Sequence, residues 1–213
     1  MIKISIKKTL LLLVVVGVIA AGVGWYLIQQ KLAPTETYIK NCNKARLIYE
    51  QLVEFEKDYL ELPSAETKDD DEMSSLDLST ANGYLGQLII ASARDSEEMF
   101  FIEGSAICLG DGPDNVVTPR KDVLRPGENG WAYFKGRDLA QEKSLPLLVP
   151  GWNPKIKTWD DNIWKTGIPV LAIDGSVTLY QAPNDGQKEE YITKKTDAPF
   201  KKDDPNLIQP ASK

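Results

Sequence analysis

The sequence predicts an α+β protein in which an N-terminal transmembrane helix is continued by an amphipathic helix packed on a small antiparallel β-sheet. Three observations carry this expectation. Residues 10–28 form an apolar run with no charge and no proline. Residues 38–59 place apolar side chains at alternating spacings of three and four, the period of one helical face. Residues 168–180 form two strand-like runs joined by Asp174-Gly175, a dipeptide that supplies the positive φ angles of a two-residue hairpin turn. The expected organisation is a basic N-terminus over 1–9, a membrane span over 10–28, a stalk helix over 29–63, an α+β domain over 64–183 and a flexible polar tail over 184–213.

At about 1.5 Å per residue, the run 10–28 matches the roughly 30 Å hydrocarbon core of a bilayer. A buried helix of a globular domain would carry a polar face, and this run has none. Lys3, Lys7 and Lys8 precede it, so the positive-inside rule keeps the N-terminus cytoplasmic and places the chain from Gln29 onward on the far side. The rival is a cleaved signal peptide, with Ala20-Ala21-Gly22 as its small-residue site. The apolar stretch continues through Val23, Trp25, Tyr26, Leu27 and Ile28, which is longer than an ordinary signal-peptide core, and Trp25-Tyr26 suit a membrane interface. The span is therefore expected to be retained.

Charge agrees with export. The chain carries a formal −6, and without the three lysines before the span the remainder stands at −9, a balance that repels nucleic-acid phosphates and anionic lipid surfaces. The roughly 180 residues beyond the span suffice for one domain with a real core. The chain has no histidine, which removes the Ser-His-Asp triad, the Cys-His pair and the ordinary His-ligated zinc centre. What remains is carboxylate chemistry, lysine chemistry or none, and no catalytic residue or cofactor is assigned. Cys42 and Cys108 could form one disulfide in an oxidising compartment; unpaired, each would act as a small hydrophobe. Neither lies at the end of the apolar run, so lipidation is not expected.

Beyond the span, Pro34-Thr35-Glu36-Thr37 is a plausible helix start, with proline in the first turn and an acid near the N-terminus. Tyr38, Cys42, Ala45, Ile48, Tyr49, Leu52, Phe55 and Tyr59 make its apolar stripe, and Lys40, Lys44, Arg46, Glu50, Glu54 and Lys57 its charged face. Leu62-Pro63-Ser64 ends it. The stretch 64–75, with Glu66, Asp69, Asp70, Asp71 and Glu72, reads as an exposed loop; it lacks the alternating oxygen ligands and glycine of an EF-hand. A second helix is expected from about Thr80 to Ser92, and a short buried strand at Met99-Phe100-Phe101-Ile102. Glycine-, proline- and aspartate-rich turns follow at 109–115, 125–130 and 149–154, with short β segments at 131–134 and 145–149 between them. After Pro183 the chain is polar and punctuated by Pro199, Pro205 and Pro210, a composition that does not bury enough surface to order itself.

One segment suggests chemistry from a different class. Trp152, Trp159 and Trp164 flank Asp160 and Asp161, offering stacking surfaces for sugar rings and two acid-base groups, as a periplasmic glycan-binding domain or a carboxylate-dependent hydrolase would need. Adjacent carboxylates on a strand point to opposite faces, however, and cannot jointly flank one bond. Anchoring of the core by the tryptophans is the plainer expectation.

The apolar N-terminal helix, its extension ending in Glu54-Phe-Glu-Lys-Asp-Tyr-Leu-Glu-Leu-Pro63, and a sheet closed by Ala172-Ile-Asp-Gly-Ser-Val177 together resemble type IV pilin-like proteins and type II secretion pseudopilins. Met99-Phe-Phe-Ile102, Pro113-Asp-Asn-Val116 and Gly127-Glu-Asn-Gly-Trp-Ala-Tyr133 resemble a pilin-like subset common in verrucomicrobial bacteria. The resemblance implies a single-pass bacterial inner-membrane protein with a periplasmic domain. It also implies a non-enzymatic structural role in a type IV pilus or type II secretion apparatus, with other pilin-like subunits as partners through the N-terminal helix. Some pseudopilins hold calcium in a loop of the sheet region, which makes Asp111, Asp114 and Asn115 candidate ligands; a glycine-rich turn explains the same residues without a metal. The chain departs from the prepilin pattern in one respect. Lys8-Thr9-Leu10-Leu11 stands where a glycine cleavage site would be, and no acid follows until Glu36. The expectation is an accessory pilin-like protein that keeps its anchor.

Overall fold

The computed structural model describes residues 36–69, 72–92, 96–108, 110–118, 123–153, 159, 163–164, 167–180, 200 and 204–211. The membrane span expected over 10–28 and the first part of the stalk lie outside them, as do residues 181–199. Among the described residues no helix is long and apolar enough to cross a membrane. The fold they build is α+β, with two α-helices and a five-stranded antiparallel sheet.

Helix α1, Glu36–Tyr59, begins with an acid in its first turn and ends with Lys57 in its last, both favourable to the helix dipole. Its apolar stripe is buried as the spacing predicts, with Ala45, Ile48 and Leu52 fully covered and Phe55 stacked on Tyr59. The buried face is wider than the stripe, because Asn41, Lys44 and Gln51 are also covered. Lys44, expected on the charged outer face, is thus corrected. Its Nζ donates to Glu98 at 2.9 Å and to the Phe101 carbonyl at 2.8 Å, and lies 5.8 Å from the Phe101 ring centroid. A buried ammonium persists only when so partnered.

The helix stops at Leu60, whose φ of 63° closes the end in the left-handed region while its N–H still reaches the Glu56 carbonyl. The acidic stretch that follows is less open than expected: Thr67–Asp69 form a 3₁₀ turn, and Met73 and Leu76 are buried. Thr67 and Gln87 fix this segment, the Gln87 amide donating to the Ser64 carbonyl at 2.8 Å.

Helix α2, Ala81–Ala91, lies within the range expected for it and is buried from Ala81 to Ile90. Thr80 makes no side-chain cap there. The C-terminal segment caps it instead, the Gln209 carbonyl accepting the Ala81 N–H at 2.8 Å, and the Ala211 N–H donates to the Asn82 Oδ1 at 2.9 Å beside it. Gly83 has no room for a side chain, since a Cβ would fall 1.9 Å from the Asp77 carbonyl oxygen.

The strands are β1 (Trp131–Phe134), β2 (Pro146–Pro150), β3 (Ile168–Ala172), β4 (Val177–Tyr180) and β5 (Leu207–Ile208), in the order β4-β3-β2-β1-β5. Every residue of β1, β2 and β3 is buried, so both faces of the central sheet are covered. Tyr133 meets Tyr84 of α2 and donates to the Pro63 carbonyl at 3.0 Å, whereas Phe134, on the opposite face, meets Phe200 edge-on. The β3–β4 hairpin forms, but its loop holds three residues, because Ala172 pairs with Ser176. Of the Asp174-Gly175 pair only Gly175 takes positive φ, at 79°, closing a longer turn than the dipeptide predicts. The Tyr49 ring rests on Gly175, and its hydroxyl donates to the Ile173 carbonyl at 2.9 Å, tying α1 to the hairpin.

Two further expectations are corrected. Met99–Ile102 is buried at Phe100, Phe101 and Ile102 but forms a turn and an irregular segment, not a strand. Within the tail expected to be flexible, Phe200 is buried and Leu207–Ile208 pair with β1. A short apolar pair suffices there because the edge of β1 presents unpaired backbone groups.

Two substitutions test these backbone constraints. Leu60→Gly relieves a left-handed leucine that is 88% exposed and should raise unfolding free energy by about 0.5–1 kcal/mol in urea titration. Gly83→Ala should lower it by about 2 kcal/mol or more, because the obstacle is backbone.

Candidate functional site

Among the described residues, three carboxylates gather in the irregular segments between α2 and β1. Glu97, Asp114 and Glu128 each bring a carboxylate oxygen within 4.8 Å of the others. Glu97 and Glu128 are buried and Asp114 is exposed. Glu97 starts the turn that closes on the Phe100 N–H at 2.9 Å. One of its oxygens accepts the Asn115 N–H at 2.9 Å and the other the Leu124 N–H at 3.5 Å, while its own N–H donates to Asn115 Oδ1 at 3.1 Å. Glu128 accepts the Arg125 N–H at 2.6 Å and the Asp114 N–H at 3.3 Å. Asp114 accepts the Val116 N–H at 2.7 Å and pairs with the Arg125 guanidinium.

Backbone geometry explains why carboxylates are needed. Asn115 and Leu124 hold φ of 53° and 54°, conformations that break any ladder and leave their N–H groups without regular partners. Each of those N–H groups points at Glu97. The two buried glutamates therefore act as hubs that satisfy loop donors where secondary structure cannot.

Electrostatics follow from this placement. Burial, and then the neighbouring charge of Glu128, push the Glu97 carboxyl above its ordinary range; the Leu124 and Asn115 N–H groups oppose the rise and Asp114 adds to it.

Of the three residues singled out as calcium candidates, the fold brings only Asp114 into this cluster. Asp111 is exposed and stands outside it, and the Asn115 side-chain oxygen is occupied by the Glu97 N–H. The oxygen chemistry suits a hard cation, but calcium takes 6–8 oxygens and the cluster offers three carboxylates already engaged with backbone donors. Arg125 supplies the countercharge to Asp114. What the arrangement does chemically is hold residues 97, 110–118 and 123–129 together. Glu97 and Glu128 gave no sequence signal, since lone glutamates carry no pattern; Asp114 stood out only through its turn-rich surroundings.

The other candidates separate. Cys42 and Cys108 are both free, so the disulfide that the sequence allows is not made. Burial pushes the Cys42 thiol up and the Cys108 thiol to about 11, leaving two protonated hydrophobes. Trp159 and Trp164 are buried, Trp159 donating to the Pro150 carbonyl at 2.6 Å and meeting the half-buried Trp152 edge-on. Their faces pack in the core rather than offering sugar platforms; Asp160 and Asp161 lie outside the described residues. A groove of about 380 Å³ runs between α1 and α2, lined by Gln51, Glu54, Phe55, Lys57, Asp58 and Leu88, a mixture of both charges over an apolar floor.

Because the folded-state value of Glu97 is raised, its contribution to stability is complete below the ordinary carboxylate range and is lost as pH rises through the raised value. Denaturant titrations from mildly acidic to neutral pH should show this loss in the native chain, and Glu97→Gln should flatten it. Comparison of the chain with protein-family models, with curated proteins and with solved structures finds no match.

Proposed function

We propose that this protein is a membrane-anchored, non-enzymatic structural or interaction protein of pilin-like build, an accessory component of a type IV pilus or type II secretion apparatus at the bacterial inner membrane. The apolar run 10–28 supplies the anchor, and only seven residues, 29–35, separate it in sequence from α1. The domain is acidic, lacks histidine, and spends its buried carboxylates on loop donors.

One observation carries the assembly part of this reading. The half of α1 that is nearer the apolar run in sequence carries Ile39 49% exposed and Leu47 41% exposed, outside the stripe that the domain buries. Apolar side chains on an outward helical surface, a short distance in sequence from an anchor, favour helix-to-helix contact with a neighbouring subunit.

Two measurements test it. Intact-mass analysis of the membrane-extracted protein should return an uncut N-terminus; a mass that begins after Ala21 would remove the anchor. A photo-cross-linker at Leu47 should yield adducts with a membrane partner, and Leu47→Lys should abolish partner capture from another α1 position while moving stability by no more than about 0.5 kcal/mol. Monomer alone in every cross-linking lane would overturn the reading.

A further inference from the structure

The groove between α1 and α2 is bounded by the C-terminal ends of both helices. Lys57 and Asp58 lie in the last turn of α1, Leu88 and Ala91 in the last turn of α2, and Ser92 just beyond it. Each helix end carries the partial negative charge of its unpaired carbonyls, and the end of α2 has no basic side chain to answer it. To this α1 adds two carboxylates, Glu54 and Asp58, four residues apart and therefore on one helical face. The buried Gln51 holds the first of them, its Nε2 donating to Glu54 Oε2 at 3.2 Å. Asp58 makes no ion pair among the described residues. Lys57, the only cation lining the groove among the described residues, is exposed, and its flexible stem can carry the ammonium into water.

Size and floor decide what kind of cation suits such a place. At about 380 Å³ the groove falls in the range of small-molecule sites and is far larger than a monatomic ion requires. A hard metal ion also wants more oxygen than is offered, since calcium takes about 6–8 oxygens and here two carboxylates stand over Phe55 and Leu88. A cation with a hydrocarbon body meets both demands. Side chains four residues apart on a helix have Cβ atoms about 5–6 Å apart, a separation that a four-carbon chain between two ammonium groups can span. Its methylenes would then lie against the apolar floor while each ammonium meets one carboxylate. An anion would face two helix C-termini and two carboxylates with Lys57 alone to offset them.

We propose that the groove between the C-terminal ends of α1 and α2 is a binding site for an aliphatic diamine, with one ammonium on Glu54 and the other on Asp58. Asp58 thereby gains the ion pair it otherwise lacks, and both helix ends gain a countercharge. Gln51 acts as a positioning residue, holding the Glu54 carboxylate at the wall. The site is distinct from the α1 surface that carries Ile39 and Leu47, and it stands whether or not the chain is part of a pilus or secretion apparatus.

The test titrates 1,4-diaminobutane into the isotope-labelled full chain in a neutral detergent and follows the backbone amide resonances. Saturable shifts centred on the ends of α1 and α2 are expected. Glu54→Gln and Asp58→Asn should each weaken binding about two- to fivefold, and Lys57→Met should strengthen it by a similar factor. Glu50→Gln makes the same change of charge on the exposed face of α1, outside the groove, and should leave the affinity as it was. Butane-1,4-diol, which has the length without the charge, should give no saturable shift. Three results would each overturn the proposal. The first is no saturation with the diamine. The second is a loss in Glu50→Gln as large as in the groove variants, and the third is the same shifts from magnesium chloride; either would reduce the effect to general attraction by an acidic surface.

Discussion

Ile48, Leu52 and Phe55 leave α1 in one row and are covered by the sheet and by α2, and the long-range contacts of the domain are laid down around that row. Full burial of three such side chains is worth about 5–8 kcal/mol, comparable to the whole net stability of an ordinary domain. The row also fixes what lies beside it. Tyr49, one position on from Ile48, reaches the β3–β4 hairpin through the Ile173 carbonyl, and Lys44, four positions before it, reaches Glu98 and the Phe101 carbonyl. Loss of the row would therefore release the hairpin and the segment after α2 together.

The described residues between Glu97 and Gly130 form no helix or strand, and their buried backbone donors need partners from elsewhere. An unsatisfied buried N–H costs about 1–3 kcal/mol, and this region holds several within a few residues of one another. Glu97 and Glu128 remove that cost by accepting from Asn115, Leu124, Arg125 and Asp114. Burial first, and then the proximity of Glu128, raise the Glu97 carboxyl. The Asn115 and Leu124 N–H groups offset these costs only in part, so the Glu97 carboxyl is held above its ordinary range, while the Arg125 guanidinium pairs with Asp114.

What could be read from the sequence was what is local. α1 and α2 follow from three-and-four spacing and from caps and breakers within the same few residues, and the β3–β4 hairpin follows from a dipeptide. What escaped depends on partners remote in sequence. Lys44 looks like any helix-surface lysine until Glu98 and Phe101, more than fifty residues on, are brought to it. Met99–Ile102 has strand composition, but the Glu97 carbonyl takes the Phe100 N–H and makes a turn of it. The hairpin loop gained a residue because Ala172 pairs with Ser176, a choice set by strand register rather than by the turn residues alone. Of the candidate site, only Asp114 was visible, since a buried glutamate that serves distant N–H groups leaves no periodic mark.

The segment 204–211 shows the same limit in its strongest form. Its two apolar residues among prolines and charges cannot order themselves, and they become a strand only because β1 already offers an edge and α2 already offers an uncapped N-terminus. Such an element depends on the rest of the domain, and α2 in turn takes its first N–H acceptor from it. Its bond to Asn82 spans 129 residues of sequence, so loop-closure entropy makes it late in assembly.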